Sequence, residues 1–195
     1  KSRSEDYFIE TIMKTYNIVD RRDRVIISID PEESKDFDDA FGITDIDDDK
    51  LLLSIYISNV SFWIDIMGVW DSFSKRIATI YLPDRKRPML PTILSDALCS
   101  LQEKRIRFAF TLDIVIRKST YEIIETSYCN TSICVKENLR YDTKRMSKNK
   151  MYKKTFKLVD NLNKKYKYME NMHSCHDMIA YLMILMNYLT AKEMV

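Results

Sequence analysis

Apolar positions recur along this chain with two spacings, and the change between them predicts where strands and helices lie. From 24 to 135 the apolar residues form short runs rich in Ile, Val and aromatic side chains between polar turns, which predicts a strand-rich core. At 1–23, and again from residue 151, apolar positions recur at helical spacing. The pattern predicts an α+β fold with a mixed, largely antiparallel sheet and packed helices. A chain of 195 residues is long enough for one domain with a real core, over 1–195.

Three segments carry more specific predictions. The apolar run 51–64 predicts one central strand, paired with 40–44. Trp70 and the apolar residues three and seven positions after it predict a helix whose apolar stripe, Trp70 included, faces the core. The segment 136–150 is polar and basic without a clear period, so we expect a mobile surface segment there. From Met151 the spacing becomes that of an amphipathic, basic helix.

The stretch VIISIDPEESKDFDDAFGI, residues 25–43, places four aspartates around the break between two apolar runs. They are Asp30, Asp36, Asp38 and Asp39. Pro31 ends the first, strand-like run, so Asp30 lies at a strand end, and the other three enter the second apolar segment. Buried like charges raise one another's pKa and oppose folding unless a cation lies between them, and Mg²⁺ takes such oxygen ligands. The pattern favours a metal site over the alternative, a solvated acidic loop.

The net charge of +2 conceals a strong polarity along the chain. Residues 30–50 hold ten acidic side chains against two lysines, and residues 136–168 hold twelve Lys or Arg against three acidic residues. Metal-assisted chemistry on phosphates uses this combination, because the acidic part holds cations and the basic part meets a nucleic-acid backbone. A solvated helix face is the alternative interpretation of the basic segment.

Cysteine and histidine usage favours a helix start over a transition-metal site. His173, Cys175, His176 and Asp177 lie close together, but a second cluster is missing, and Ser174 with Asp177 suits the beginning of a helix.

The four cysteines form no CxxC pair, which favours an intracellular, reducing compartment, with the cytoplasm preferred over the nucleus. No membrane is expected, because no apolar run reaches the ~18–20 residues of a membrane span.

The aspartate stretch also carries a resemblance. Ile29-Asp30-Pro31, followed by Asp36, Asp38, Asp39 and Ala40, resembles the signature of the RNB family, the ribonuclease II and ribonuclease R type exoribonucleases. Further matches follow in the same order: Arg76 with Tyr81-Leu82-Pro83, Met89-Leu90-Pro91, Leu94-Ser95, Leu98-Cys99-Ser100-Leu101 and Arg107-Phe108. The chain resembles the N-terminal half of an RNB catalytic domain, with the acidic site in the strand-rich core 24–135, and a basic segment and C-terminal helices over 136–195.

The resemblance implies a magnesium-dependent, hydrolytic 3′-5′ exoribonuclease that acts on single-stranded RNA and releases nucleoside 5′-monophosphates. The four aspartates would hold Mg²⁺, and Asp38 and Asp39 would also be catalytic. Tyr81 would stack on the terminal bases of the RNA, its alternative being plain strand packing. The basic residues that would contact RNA are Arg76, Arg85, Lys86 and Arg87.

The chain also departs from the family pattern. Tyr56 and Asn59 stand where the family usually has His and Asp, and Ala180 and Tyr181 replace acidic residues. The arginine-rich second half of the catalytic domain is not in this sequence, so a second chain or a further segment would have to supply it. The alternative function is therefore a catalytically impaired, RNB-like RNA-binding or scaffold subunit of a larger assembly.

Overall fold

The computed structural model describes residues 3–73, 79–84, 86–87 and 89–194. These residues form a seven-stranded mixed sheet with packed helices, and a separate two-stranded hairpin. The strands are β1 (Val19–Asp20), β2 (Ile27–Asp30), β3 (Asp39–Asp45), β4 (Lys50–Ser58), β5 (Ile80–Tyr81), β6 (Lys86–Arg87), β7 (Ile106–Arg117), β8 (Ile123–Cys134) and β9 (Glu137–Arg140). The helices are α1 (Arg3–Thr15), α2 (Val60–Met67), α3 (Trp70–Phe73), a π-helix (Ile93–Cys99), α4 (Lys144–Lys148), α5 (Lys150–Tyr166) and α6 (Cys175–Glu193).

The large sheet has the order β1-β8-β7-β4-β3-β2-β9. Its neighbours are antiparallel except at the two edges, where β1 runs parallel to β8 and β9 runs parallel to β2. The predicted α+β class with a mixed, largely antiparallel sheet is confirmed. A polar turn between Asp45 and Lys50 joins β3 to β4, and a second polar turn joins the long strands β7 and β8.

Alternate residues of the central strands face two apolar cores, one on each side of the sheet. On one side, Leu53 and Ile55 of β4 pack in a large cluster with side chains of α5 and α6, such as Val159 and Leu182. On the other side, Tyr56 of β4 belongs to a smaller cluster. The period of two in a strand explains why consecutive residues of β4 belong to different cores.

The predicted central strand 51–64 is wrong beyond Ser58, because a helix begins there. Asn59 caps α2: its side-chain oxygen accepts a hydrogen bond from the Phe62 N–H at 3.3 Å, and its own N–H donates to Phe108. A capping asparagine satisfies a backbone donor that the first turn of a helix leaves unpaired. The apolar residues after Asn59 therefore belong to α2.

The prediction of a mobile surface segment at 136–150 is also wrong. The segment forms the edge strand β9 and the short helix α4. Two apolar side chains anchor it, since Leu139 is 1% exposed and Met146 is 4% exposed. Their isolated positions among basic residues have no period, so the hydrophobic pattern did not indicate regular structure.

Trp70 is another correction, because it lies at the surface and not in the core. Its side chain is 47% exposed in the four-residue helix α3, and the indole N–H donates to Asp65.

No helix in the described part of the chain combines the length and apolar character needed to cross a bilayer.

Candidate acidic active site

The carboxylate of Asp30 is held at the end of the buried strand β2. Asp30 is 8% exposed, and Ser28 Oγ donates to Asp30 Oδ2 at 2.7 Å. Asn138 on β9 donates in turn to Ser28 Oγ at 2.8 Å, so the edge strand orients this hydroxyl. The Asp30 backbone carbonyl accepts from the Tyr141 N–H at 3.2 Å. The parallel pairing of β2 with β9 therefore fixes both the backbone and the side chain of Asp30.

Arg140, at the end of β9, holds the loop that follows Asp30. Its Nη1 donates to the Pro31 carbonyl at 2.7 Å, and its Nη2 donates to the Ser34 carbonyl at 3.4 Å. The guanidinium also lies over the Phe37 ring, 5.1 Å from the ring centroid. One side chain thus connects the strand that supplies Asp30 with the loop that supplies the other aspartates.

Phe37 anchors the same loop from the other side. It is 7% exposed, its N–H donates to Ser100 Oγ at 3.0 Å, and its carbonyl accepts from the Leu101 N–H at 2.8 Å. Asp36 and Asp38, on either side of it, are exposed. Because Phe37 points inward, its two neighbours present their carboxylates outward.

Asp38 and Asp39 lead into β3. The Asp38 carbonyl accepts from the Ser58 N–H at 2.8 Å, and Ser58 Oγ donates to Asp38 Oδ1 at 3.4 Å. Asp39 is the first residue of β3, where it pairs with Ile57 of β4. Asp36 and Asp38 line a cleft of about 390 Å³ that is open to solvent. The other lining residues are Ile57, Ser58, Val60, Thr79, Met89, Leu90, Ser95 and Cys99.

The electrostatics show that the fold brings the four aspartates together. Burial raises the pKa of Asp39 to about 7, and the charges of Asp30 and Asp38 contribute in the same direction. Burial raises the pKa of Asp30 to about 6, against the lowering effects of Ser28 and Arg140, while Asp38 and Asp36 add to the rise. Burial and Asp36 also raise the pKa of Asp38. Four carboxyl groups therefore share one region with too little positive charge to balance them.

This donor set fits a hard divalent cation. Mg²⁺ prefers carboxylate oxygens and keeps several waters, which suits a site with one buried, one partly buried and two exposed carboxylates. The raised pKa values of Asp30 and Asp39 show that ionising these groups in the folded chain costs free energy, and a bound cation would remove that cost.

Three residues at this site were missed by sequence reasoning. Asp96 on the π-helix contributes to the raised pKa of Asp38. Burial raises the pKa of Tyr141 to about 12, the charges of Asp39 and Asp30 add to the rise, and its N–H donates to the Asp30 carbonyl. Arg140 is the third. Asp96 could have been found from the sequence, because it lies within the stretch 94–101 that resembles the family. Arg140 and Tyr141 could not, because they lie in a segment without hydrophobic periodicity.

The structure describes the predicted RNA-binding residues only in part. Arg76 and Arg85 lie outside the described residues. Tyr81 and Lys86 pair across the β5–β6 hairpin, next to Arg87, but only the backbone of these three is described. Their roles stay predictions.

The residues that depart from the family pattern have structural roles. Tyr56 is 1% exposed and Tyr181 is fully buried, each in an apolar core. Asn59, besides capping α2, donates from Nδ2 to Asn130 Oδ1 at 2.8 Å. Ala180 is exposed on α6.

Comparison with known proteins identifies the family. The model of the RNB domain matches residues 18–177, which include all four aspartates and the cleft between them and the π-helix. The chain belongs to the RNB domain family. Ribonuclease R of Mycoplasmopsis pulmonis is 38% identical to it over 162 residues, which are 82% of this chain and 21% of that protein.

Solved structures of two other proteins have a similar fold. RNase R of Mycoplasma genitalium, in complex with ribose methylated single-stranded RNA, superposes with a TM-score of 0.75 at 22% identity, over 91% of this chain and 34% of that one. Yeast Ssd1, a pseudonuclease, superposes with a TM-score of 0.64 at 16% identity, over 76% of this chain and 19% of that one. The chain thus spans about a fifth of the M. pulmonis protein and about a third of the M. genitalium chain.

Proposed function

We propose that this chain forms part of the catalytic domain of a magnesium-dependent 3′-5′ exoribonuclease that hydrolyses single-stranded RNA to nucleoside 5′-monophosphates. The observation that carries the proposal is the meeting of Asp30, Asp36, Asp38 and Asp39 beside an open cleft, with the pKa of Asp30 raised to about 6 and that of Asp39 to about 7. Membership of the RNB family supports the same conclusion.

Each aspartate has a role that follows from its position. The four carboxylates would hold Mg²⁺, which supplies an activated water and stabilises charge on the phosphate when it is bound. Asp38 lines the cleft and accepts a hydrogen bond from Ser58, which supports a role in orienting a water against an RNA phosphate. Asp39 lies deeper and would complete the catalytic pair. Asp30 is fixed by Ser28, and Arg140 keeps the loop of Asp36 and Asp38 in place.

A direct test compares Asp38→Asn with Asp48→Asn, which removes the same charge from the exposed turn between β3 and β4. We expect Asp38→Asn to lower monophosphate release from 3′-labelled single-stranded RNA by at least about 100-fold, which is in the range for removing one positioned catalytic group. RNA binding should stay within about twofold of wild type, because the substitution removes a charge that repels phosphate and leaves the RNA-binding residues in place. Asp48→Asn should cleave and bind as wild type does.

Equal loss of cleavage and binding in Asp38→Asn would contradict a catalytic role, and would indicate a folding role if its melting temperature also falls. The assay is run with the chain alone and with any co-purifying chain, since the proposal includes a partner or further segment that supplies the rest of the catalytic domain.

RNA is the proposed partner, and the position of α4 suggests where its backbone runs. Helix α4 begins four residues after Arg140, so its cations lie on the side of the sheet edge where Asp30 ends. By contrast, Lys154 of α5 pairs with Asp45 at 2.6 Å, at the other end of β3 from Asp39. Six steps along that strand cover about 20 Å. The cations of α4 and Lys150, the first residue of α5, are therefore better candidates for contacting RNA at the acidic site than those further along α5.

Replacing four such cations with Gln tests this placement: Lys144, Arg145, Lys148 and Lys150. The slope of log affinity against log salt should flatten by about two to three, since each contact with single-stranded RNA contributes about −0.7. Binding should weaken about equally for all sequences, because backbone contacts carry no sequence information. An unchanged slope would leave the basic residues Arg85, Lys86 and Arg87 as the better candidates.

The second candidate function is a catalytically impaired RNA-binding or scaffold subunit. Its specific support is that Tyr56 and Tyr181, which replace residues of the family pattern, are buried in apolar cores and cannot contact RNA in the cleft. Persistent RNA binding without monophosphate release at any Mg²⁺ concentration would favour this candidate.

A further inference from the structure

A second group of metal-ligating side chains lies next to the acidic site. Asp142 follows Tyr141 in the turn between β9 and α4, and Cys175 and His176 are the first two residues of α6. One ligand atom from each of these three lies within 4.8 Å of the other two. Cys175 Sγ is 3.5 Å from Asp142 Oδ1, and His176 Nε2 is 3.9 Å from Asp142 Oδ2. The tertiary structure thus brings a carboxylate to a Cys-His pair that lies 33 residues later.

These distances are close to those of a metal site. Zinc binds sulfur at about 2.3 Å, imidazole nitrogen at about 2.0–2.1 Å and carboxylate oxygen at about 2.0–2.2 Å, so two ligands of one tetrahedral ion lie about 3.3–3.6 Å apart. The separation of the sulfur from Asp142 Oδ1 lies within that range, and the separation of the histidine nitrogen from the other carboxylate oxygen, Oδ2, is slightly longer. Small rotations of side chains would close the difference, since Asp142 and His176 are both exposed.

The backbone on both sides of the group is well fixed. The Asp142 backbone has a left-handed φ of 56°, and the next residue, Thr143, donates from Oγ1 to the Arg140 carbonyl at 3.0 Å. On α6, Ser174 and Asp177 form a capping box. The sequence prediction that these two residues begin a helix is confirmed, and Asp177 is therefore engaged in the cap.

The ring of His176 is held as well. Tyr141 stacks on it with the ring centroids 3.8 Å apart and the planes 21° from parallel. The N–H of the same Tyr141 donates to the Asp30 carbonyl at 3.2 Å, which places this residue next to the acidic site. A bare ion pair between Asp142 and His176 at the surface would contribute about 0–1 kcal/mol and would need neither the buried thiol nor the stacked ring.

We infer that Asp142, Cys175 and His176 form a binding site for a transition-metal ion of the zinc class, with water as the fourth ligand. The thiol proton that Cys175 now donates to Asp142 leaves to solvent when sulfur binds the ion. The thiolate and the carboxylate then supply two negative charges, which balance the two positive charges of the ion. The bound ion would fasten the turn of Tyr141 and Asp142 onto the start of α6, and so fix Tyr141 beside the acidic site.

Cobalt is the probe that tests this inference, because a thiolate ligand gives Co²⁺ a charge-transfer band in the near ultraviolet, and four-coordinate Co²⁺ has intense visible bands. Metal-free protein titrated with Co²⁺ should develop both bands at one ion per chain, and Zn²⁺ should abolish them. Cys175→Ser should remove the charge-transfer band. His176→Ala, at an exposed position, should weaken Co²⁺ binding by about 100-fold or more, since removing even an outer-shell partner of a ligand costs about 10–100-fold.

Three controls separate this site from other thiols and from the acidic site. Cys99→Ser and Cys129→Ser should leave the bands unchanged, because these thiols lie outside the group of three. Asp38→Asn should also leave them unchanged, so the result does not depend on the proposed nuclease function. Absence of a charge-transfer band in the wild-type protein, or a band that persists in folded Cys175→Ser, would overturn the inference. If Cys175→Ser does not fold by circular dichroism, the His176→Ala titration decides alone, and an unchanged Co²⁺ affinity there would overturn it equally.

Discussion

The acidic site should make the metal-free protein less stable as the pH rises, and Asp39→Asn should remove a large part of this effect. Burial, with the charges of Asp30 and Asp38, raises the pKa of Asp39 from an ordinary value of 3.8 to about 7. In the unfolded chain the carboxyl keeps its ordinary pKa. Between these two pH values the folded state keeps a proton that the unfolded state has lost. Stability therefore falls as the pH rises from about 4 to about 7, and stays lower above that.

The size of the effect follows from the two pKa values. Each pKa unit corresponds to about 1.4 kcal/mol, so the change from 3.8 to about 7 sets an upper limit of roughly 4 kcal/mol. Asp39 is partly exposed, so water screens its charge, and it shares the repulsion with Asp30. We therefore expect about half of that limit, ~2 kcal/mol, from the substitution at pH 8. In a chain of 195 residues this raises the melting temperature by about 4–8 °C.

The assay is thermal unfolding in EDTA at pH 4 and pH 8, followed by circular dichroism. Asp39→Asn should melt above wild type at pH 8, and the difference should shrink to a few tenths of a kcal/mol at pH 4, where the folded state is protonated and the unfolded carboxyl is only about half ionised. Asp48→Asn, at an exposed turn position, should match wild type at both pH values. Added Mg²⁺ should raise the melting temperature of wild type more than that of Asp39→Asn, because only wild type keeps the full ligand set.

Two outcomes would refute this reasoning. The first is an Asp39→Asn variant that melts below wild type in EDTA at pH 8, which would mean that the ionised carboxylate stabilises the fold. The second is an equal difference at pH 4 and pH 8, which would mean that the substitution acts through packing and not through charge.

Three further predictions concern positions around the site and in the core. Asp113→Asn should lower the free energy of unfolding by about 3–5 kcal/mol in urea titrations, because it breaks a buried ion pair with Arg21, whereas Arg21→Met with Asp113→Leu should recover most of the loss. Gly42→Ala should cost about 1–3 kcal/mol in the same assay, since a Cβ there would lie 2.7 Å from the Val25 carbonyl oxygen; a neutral result would show that the strand can shift. Arg140→Lys should raise the Mg²⁺ concentration at the midpoint of the melting-temperature increase by about 10-fold or more, while the metal-free protein stays folded. The reason is that Lys cannot reproduce the forked guanidinium contacts that hold the loop after Asp30. An unchanged Mg²⁺ midpoint would contradict that role.

The acidic stretch shows how much of the candidate site could be predicted from local sequence. Asp30 at a strand end and three carboxylates entering the next strand are consequences of spacing within one stretch of chain, and the structure places these residues at the end of β2 and the start of β3. The family resemblance rested on the same residues in the same order. Apolar runs likewise predicted β3 and β4, which face a core on each side of the sheet, and helical spacing predicted α5, which buries one face.

What completes the site came from interactions between distant parts of the chain. Arg140 and Tyr141 reach Asp30 because β9 pairs in parallel with β2, and this pairing joins residues more than 100 positions apart. Asp142 meets Cys175 for a similar reason, since the turn after β9 lies against the start of α6.

The sequence by itself determined the α+β class, the four clustered aspartates and the helix start at Ser174, because each depends on residues that are neighbours in the chain. Only the tertiary structure decided that 136–150 is an ordered sheet edge and that Trp70 lies at the surface. The burial of a side chain depends on the whole packed molecule. In the basic segment 136–150, two buried apolar side chains and pairing with the edge of the sheet are enough to form regular structure. A pattern of neighbours along the chain does not contain that information.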